Sequence, residues 1–302
     1  MSEQKETEQT QEHAAKEAMQ AKAPSANAAG TAQATHTDTD AVRATGADAG
    51  AAAQQAPVPA VRYDHVSKVY DDAEDAEPAV DDVSFSVADH DFAMFVGSSG
   101  GGKTTLLKMA NGLIAPTSGA VYYFGEDVAH TDQVKLRRKI GYVIQGSMLF
   151  PNMTVEKNIL YVPRLRKFSK EQQAEALERA LALTGIDSKY LTKYPAALSG
   201  GQQQRVGIAR ALAGNPDVVL MDEPFSAVDE ITRRQLQTEI IDIHRKAKLT
   251  ILFVTHDIDE ALRLGTKIMV INRGKMQQFG TPDELLAHPA TSYVEQLLAD
   301  HD

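Results

Sequence analysis

A glycine-rich segment, Gly97-Ser-Ser-Gly-Gly-Gly-Lys-Thr104, carries the clearest chemical signal in this sequence because it matches the pattern G-x-x-x-x-G-K-[ST]. It follows a short apolar run, Phe92–Val96, and precedes Thr104–Asn111, which has the composition of a helix. Strand, glycine turn and helix in that order are the context that this pattern requires. Glycines let backbone N–H groups turn inward around phosphate oxygens, and the helix start adds a partial positive charge.

This phosphate loop, residues 97–104, predicts a bound nucleoside triphosphate. We expect the Lys103 ammonium to reach the β- and γ-phosphates and the Thr104 hydroxyl to bind Mg²⁺. The residues expected to contact ATP here are Gly97, Ser98, Ser99, Gly100, Gly101, Gly102, Lys103, Thr104 and Thr105. Kinases, GTPases and motor proteins share such a loop, so it predicts the ligand but not the biological task.

Two adjacent carboxylates end a second apolar run, Val218-Val-Leu-Met-Asp-Glu223. We expect Asp222 to hold Mg²⁺ directly or through water, and Glu223 to polarise the attacking water as a general base. Neighbouring side chains on a strand point to opposite faces of the sheet, so the two acids are expected to have different roles.

A second possible anion site begins the helical run Gln202–Ala213, in the segment Leu198-Ser-Gly-Gly-Gln-Gln-Gln-Arg205. One nucleotide needs only one phosphate cradle. A second is explained if two copies of the chain meet head to tail, each presenting this segment to the nucleotide bound by the other. The alternative is an ordinary serine N-cap with a glycine turn. The residues expected to contact the partner's ATP are Ser199, Gly200, Gly201 and Gln202.

These segments must be positioned by the strands and helices that alternate along the chain from Val61 onward. Val218–Met221 and Ile251–Val254 are continuous apolar runs, which are typical of strands buried on both faces of a mostly parallel sheet. The turn at residues 272–274 predicts a hairpin between the runs Lys267–Ile271 and Lys275–Phe279. Helical composition and spacing are found at Glu171–Thr184 and Arg233–Lys248. The fold class is therefore α/β.

The first 60 residues differ in composition from the rest of the chain. They contain 19 Ala, and their large apolar residues are Met1, Met19, Val42 and Val58. Such a segment cannot bury enough apolar surface to offset its conformational entropy. We therefore expect a disordered N-terminal tail at residues 1–60 and a folded domain at residues 61–302.

Composition excludes several classes of function. The 302 residues carry a formal net charge of −10, so no nucleic-acid partner is expected, because such a binder should show a basic face. The chain has no cysteine, which excludes disulfides, thiolate zinc sites and a cysteine nucleophile. No apolar stretch approaches about 18 residues, and the N-terminal MSEQKETEQT lacks an apolar run. We therefore expect neither a membrane span nor a secretory signal.

The ordered set of motifs resembles an ABC-type ATPase over the whole of residues 61–302. The set runs from the phosphate loop through Gln145, the LSGGQ sequence and the Asp222-Glu223 pair to a single histidine, His256. The resemblance implies a P-loop NTPase core of ABC ATPase type. It also implies an antiparallel β portion and a helical subdomain, at about residues 146–212, that bears the LSGGQ sequence.

The resemblance implies roles for four further residues. Tyr70 resembles the aromatic residue that stacks on adenine, and Gln145 resembles the glutamine that joins the Mg²⁺ shell and senses the transmembrane partner. Asp229 resembles the aspartate at the dimer interface, and His256 the switch histidine that contacts the γ-phosphate. The expected catalytic residues are then Glu223 and His256, and the expected metal ligands are Thr104, Gln145 and Asp222.

The resemblance also implies partners and a location. We expect a homodimer, or paired ATPases, joined to transmembrane permease subunits and indirectly to an extracytoplasmic solute-binding protein. The expected location is peripheral, at the cytoplasmic face of the cell membrane. Four apolar residues after Gln145 could receive a short helix from a membrane subunit or could pack within the domain itself: Leu149, Phe150, Met153 and Val155.

Several stretches are similar to the ATP-binding subunits of quaternary-amine importers, which take up glycine betaine, carnitine, choline or proline. They are Lys135–Gln145, Tyr194-Pro195 with Leu198–Arg205, Asp222–Arg233 and Thr255–Ala261. This similarity favours an ATPase that drives uptake of an osmoprotectant. The alternatives are the ATPase of another ABC importer or of an exporter, and a non-transport ABC ATPase that acts on DNA or ribosomes.

Overall fold

The computed structural model describes residues 57–70, 77–146 and 148–299, and the structural account is confined to them. The predicted tail at residues 1–60 lies outside the described residues, apart from its last four. Within these ranges the strands are β1 (Val61–Lys68), β2 (Val80–Val87), β3 (Phe92–Gly97), β4 (Ser118–Tyr123), β5 (Glu126–Asp127), β6 (Ile140–Val143), β7 (Val218–Asp222), β8 (Thr250–Val254), β9 (Lys267–Asn272) and β10 (Lys275–Gly280).

Helices separate most of these strands. They are α1 (Lys103–Ala110), α2 (Gln133–Lys139), α3 (Val155–Ile159), α4 (Tyr161–Leu165), α5 (Lys170–Thr184), α6 (Gly200–Leu212), α7 (Glu230–Ala247), α8 (Ile258–Leu264), α9 (Pro282–Ala287) and α10 (Ser292–Ala299). None of the helices in the described ranges has the length and apolar character needed to cross a membrane.

A mostly parallel sheet of six strands forms the centre of the domain, in the order β10-β9-β3-β8-β7-β6. The pairs from β9 to β6 are parallel, whereas β10 and β9 pair antiparallel, which confirms the predicted hairpin. Every residue of β3, β7 and β8 is buried, as the continuous apolar runs predicted. Because parallel strands end at one edge, the segments that follow β3, β7 and β8 lie near one another.

A four-stranded antiparallel sheet, β2-β1-β4-β5, shares a core with α1 and one face of the parallel sheet. Tyr63 stacks on Phe85 with ring centroids 4.5 Å apart, and Phe95 of β3 packs edge-on against both rings. The buried Tyr63 hydroxyl donates a hydrogen bond of 2.9 Å to the Leu106 carbonyl oxygen in α1, so its polar atom is satisfied. This core fixes α1, and with it the phosphate loop, against both sheets.

The helices of residues 155–212 have a core of their own. Its buried members are Val155, Ile159, Ala180, Leu198, Val206, Ala209 and Ala213. Val155 is fully buried there, so of the two alternatives for this residue the structure favours packing within the domain itself. Leu149 packs against the same cluster, whereas Phe150 and Met153 remain partly exposed without belonging to it.

Candidate nucleotide-binding site

The phosphate loop joins β3 to α1 through a backbone that glycine alone accommodates at two points. Gly97 and Gly102 have φ angles of 147° and 101°. A Cβ on Gly97 would lie 1.9 Å from the Ile271 carbonyl oxygen, and one on Gly102 would lie 2.4 Å from the Ala79 carbonyl oxygen. Neighbouring backbone therefore closes one side of the loop to any side chain. Its outer part, residues 98–100, is exposed.

Lys103 begins α1 and is held inside the loop, with only 5% of its surface exposed. Its Nζ donates hydrogen bonds of 2.8 Å to the carbonyl oxygens of Gly97 and Ser98. Burial lowers the pKa of Lys103, and the negative charges of Glu223 and Asp222 partly oppose that shift. The loop therefore holds a desolvated ammonium group within reach of two carboxylates, and an anionic ligand would be attracted to it.

The Thr104 hydroxyl and the Asp222 carboxylate meet directly. Thr104 Oγ1 donates a hydrogen bond of 2.8 Å to Asp222 Oδ1, and Asp222 is 8% exposed. Tyr142 of β6 also hydrogen-bonds to Asp222, and burial together with this contact raises the pKa of the tyrosine. A hydroxyl and a carboxylate are the hard oxygen ligands that Mg²⁺ prefers. The pair fits an Mg²⁺ ion that takes its remaining ligands from water and phosphate.

No cluster of three or more His, Cys, Asp or Glu side chains able to hold a metal is found in the part of the chain that the structure describes. Mg²⁺ is usually bound by one or two carboxylates plus substrate phosphates rather than by a protein cage. Gln145, the third expected ligand, lies in an exposed turn two residues after β6, at the same edge of the sheet.

Glu223 directly follows Asp222, the last residue of β7. It has a left-handed backbone, with φ of 42°, and its N–H donates to the Val254 carbonyl oxygen at 3.0 Å. One carboxylate oxygen, Oε2, lies 3.4 Å from His256 Nδ1. The two acids therefore face different partners, Thr104 for Asp222 and His256 for Glu223.

Tyr70 lies at the start of α1, beside the phosphate loop. Its hydroxyl is 3.0 Å from the Thr105 hydroxyl, and the Lys68 ammonium lies 5.3 Å from the centre of its ring. The side chain is 61% exposed, so an aromatic face is available to a ligand at this end of the loop.

The LSGGQ residues and Asp229 form a second group, at the starts of α6 and α7. Ser199 caps α6: its Oγ accepts from the Gln202 N–H at 3.3 Å, and Gln202 Oε1 accepts from the Ser199 N–H at 2.9 Å. Asp229 caps α7 by accepting from the Thr232 N–H at 3.0 Å, which lowers the pKa of Asp229. A Cβ on Gly201 would lie 2.6 Å from Thr232 Cγ2, so the two helix starts are in close contact.

The serine-cap alternative thus describes the local geometry of Ser199 correctly. It does not exclude an anion-binding role, because Ser199 and Gly200 are exposed and the cap uses one N–H of the first turn.

Three contacts to the phosphate loop were missed by sequence reasoning. The Tyr293 hydroxyl in α10 accepts a hydrogen bond of 3.1 Å from the Ser98 N–H. Asn272 Oδ1 accepts from the Ser98 hydroxyl at 3.2 Å, and the Gly274 N–H donates to the Gly101 carbonyl oxygen at 3.2 Å. The hairpin signal at residues 272–274 marked the turn but not its position beside the loop. No signal marked Tyr293, which is 195 positions away from Ser98.

A glycine-rich phosphate loop at the edge of a parallel sheet, flanked by an antiparallel sheet and a helical portion, defines a P-loop NTPase core of ABC ATPase type. The family model described as ABC transporter matches residues 80–226. The glycine betaine uptake system ATP-binding protein YehX of Escherichia coli (strain K12) is 44% identical over 236 residues, covering 78% of this chain and 75% of that protein. The chain belongs to the ABC transporter family.

A further relative and a solved structure of an ATP-binding cassette are also similar to this chain. The glycine betaine/carnitine/choline transport ATP-binding protein OpuCA of Bacillus subtilis (strain 168) is 47% identical over 238 residues, covering 79% of this chain. The chain spans 62% of OpuCA, and about three fifths of several other curated relatives. A dimeric post-hydrolysis state of the ATP-binding cassette MJ0796 bound to ADP and Pi has a TM-score of 0.66 and 30% identity, covering 74% of this chain and 98% of that one. The predicted fold class is confirmed.

Proposed function

We propose that this protein is the ATP-hydrolysing subunit of a membrane ABC importer for quaternary amines. The observation that carries the ATPase proposal is the convergence of three groups at one edge of the sheet. They are the buried Lys103 ammonium, the Thr104–Asp222 pair and the Glu223–His256 pair. A P-loop fold places the phosphates of ATP at this edge.

Hydrolysis would use each group differently. N–H groups of the phosphate loop and the Lys103 ammonium bind the β- and γ-phosphates, which positions the γ-phosphate at the open side of the loop. The Glu223 carboxylate orients the attacking water and accepts its proton, while the neighbouring His256 contacts the γ-phosphate. Mg²⁺, when bound, neutralises charge on the phosphate oxygens, and Thr104, Asp222 and Gln145 are the residues that would hold it.

The functional unit in this proposal is a dimer. In a head-to-tail pair, the exposed Ser199 and Gly200 of one copy would close over the ATP held by the other copy, with Asp229 at the interface. The fold similarity to a dimeric ATP-binding cassette supports this arrangement. ATP would favour the closed pair because it contacts both copies only there, and loss of the γ-phosphate would weaken it.

A groove beside the nucleotide edge is the proposed docking site for a short helix of a permease subunit. It has a volume of about 560 Å³ and a mainly apolar lining that includes Leu113, Met148, Phe150 and Tyr161. Leu113 and Met148 are 50% and 63% exposed. Phe150, one of the four residues singled out from the sequence, is in this groove. The location that follows is peripheral, at the cytoplasmic face of the membrane.

The solute is inferred from relatives named for glycine betaine, carnitine and choline transport. The permease and a solute-binding protein would select the solute. Another polar solute, or export, would use the same ATPase chemistry, so transport has to be measured directly.

The ATPase proposal is tested with the full chain and three substitutions. We expect Glu223→Gln to keep ATP binding while turnover falls about 10²–10⁴-fold, since the general base is lost. Lys103→Ala should weaken ATP binding strongly, because the buried ammonium is removed. Glu178→Gln, on the exposed face of α5, is the control and should leave both unchanged. Undiminished turnover in Glu223→Gln would remove Glu223 from the base role.

The importer proposal is tested in vesicles that contain the chain with the membrane subunits and solute-binding protein that co-purify with it. We expect ATP-dependent accumulation of labelled glycine betaine or choline, and none with Glu223→Gln. Co-purification with ribosomes or DNA, or outward transport, would contradict it.

A further inference from the structure

A buried carboxyl group lies directly behind the Glu223–His256 pair and has no part in the chemistry above. Glu260 is in the first turn of α8, four residues after His256, and is only 6% exposed. Together with Glu223 and His256 it lines one small cleft. A buried carboxyl group is costly unless it is hydrogen-bonded, so its partners indicate what it holds in place.

Its hydrogen bonds join two elements. Glu260 Oε1 accepts from Gln237 Nε2 of α7 at 2.9 Å, and Gln237 is itself 5% exposed. The Thr255 side chain, at the end of β8 and next to His256, also hydrogen-bonds to the Glu260 carboxyl group. The Thr255 hydroxyl in turn accepts from the Asp257 N–H at 3.0 Å. The carboxyl group therefore links the segment that carries His256 to the middle of α7.

A second contact secures the same link from the other end of α8. Arg263 Nη1 donates to Gln237 Oε1 at 3.2 Å, and its Nη2 donates to Thr238 Oγ1 at 3.2 Å. Gln237 is thus bound through both of its amide atoms by α8. Helix α7 begins immediately after Asp229, the residue that we place at the dimer interface.

We propose that Glu260 is a positioning residue that couples α7, and so the Asp229 end of that helix, to the placement of His256 against Glu223. This inference rests on the proposed ATPase function. A displacement of about 1 Å in a catalytic group costs up to about 10²-fold in rate. Loss of the Glu260–Gln237 contact therefore lowers turnover without touching the phosphate loop.

The first test measures ATP turnover, ATP affinity and thermal stability of the full chain. Glu260→Ala should lower kcat about 10- to 100-fold, with the Kd for ATP changed less than about twofold because Lys103 and its loop are intact. Glu260→Gln keeps the shape and the acceptor for Gln237, so it should stay within about threefold of the wild type. Glu178→Ala, exposed on α5, is the control and should match the wild type.

The second test exchanges the side chains of Gln237 and Glu260. It does not depend on whether Glu260→Ala folds. Gln237→Glu alone places two carboxyl groups face to face and should lower kcat. Gln237→Glu with Glu260→Gln restores one amide and one carboxyl group in swapped positions, and should recover most of the lost turnover. A purely structural role would lower the thermal stability of Gln237→Glu but leave the kcat of its folded molecules unchanged.

The outcomes separate the two proposals. If the wild type and Glu178→Ala hydrolyse no ATP, the proposed function fails. If they hydrolyse ATP and folded Glu260→Ala has the same kcat, or if the exchange is no better than Gln237→Glu alone, the positioning role of Glu260 is refuted.

Discussion

Two serine residues with matched helix-capping geometry allow a sharp test of the LSGGQ segment. Ser199 and Ser169 cap α6 and α5, and each forms a reciprocal box with the glutamine three residues later. The serine Oγ accepts from that glutamine's N–H at 3.3 Å in α6 and at 3.2 Å in α5. The reverse bond is 2.9 Å in both. Both serines are exposed, and we propose that only Ser199 contacts the partner's ATP.

The expected magnitudes follow from this match. Replacing an N-cap serine by alanine costs about 1 kcal/mol, which lowers the Tm of a domain of about 150–250 residues by roughly 2–4 °C. Both substitutions should lower the Tm. The fall for Ser169→Ala should be at least as large as that for Ser199→Ala, because the Ser169 hydroxyl also donates to Glu171 at 2.7 Å. Ser199→Ala alone should also lose a hydrogen bond to phosphate, worth about 1.5–3 kcal/mol, or about 10- to 150-fold in turnover.

The assay compares melting temperature and steady-state ATP turnover in the full chain for both variants, at protein concentrations where the wild type dimerises. Equal turnover in Ser199→Ala and Ser169→Ala would mean that the α6 cap is only structural, and would refute the head-to-tail arrangement that assigns it to the partner's nucleotide.

Three further predictions concern packing, the phosphate loop and pH. Gly201→Ala should lower the free energy of unfolding by about 1–3 kcal/mol more than Gly200→Ala does, because its Cβ would lie 2.6 Å from Thr232 Cγ2. Adding Thr232→Ser removes that methyl group, so urea unfolding of the double variant should show the stability recovered. No recovery would contradict the clash. Tyr293→Phe removes the hydroxyl that holds the Ser98 end of the phosphate loop against α10. The loop is then less well positioned, and a nucleotide titration should show ATP binding weakened about fivefold, corresponding to about 1 kcal/mol. Burial raises the pKa of Glu260 above 4.5, so the folded state loses stability as pH rises from there through the raised pKa. The Tm advantage of Glu260→Gln over the wild type should therefore grow across that range and then level off.

Local sequence predicted much of the fold because continuous apolar runs directly reflect burial on both faces. The runs at Val218–Met221 and Ile251–Val254 became strands that are buried at every residue. The glycines of the phosphate loop and the Asp222-Glu223 pair could also be recognised, since each motif is contiguous and its spacing carries its own chemistry.

Contacts between distant segments could not be predicted in this way. The contacts Tyr293–Ser98 and Glu260–Gln237 join segments that are 195 and 23 positions apart. Ser98 belongs to a recognisable motif, but nothing in its segment points to Tyr293 as its partner. The sequence left two alternatives open for Val155 for a related reason. Its helix, α3, has five residues, which is too short for apolar spacing to show which face meets the core.

The two predicted anion sites differ in how their backbone donors are used, and this sets the order of binding that we expect. Helix α1 begins after Gly102, and no side chain caps it in the structure as described. Its first-turn N–H groups are therefore without the side-chain acceptor that a serine would supply, and a phosphate can take that place without displacing a capping side chain. In α6, the Ser199 hydroxyl oxygen already accepts a hydrogen bond from one of the equivalent N–H groups, that of Gln202. A phosphate gains less there, so ATP should bind first at the phosphate loop of one copy, and the capped helix of the second copy should add its contacts only when the pair closes.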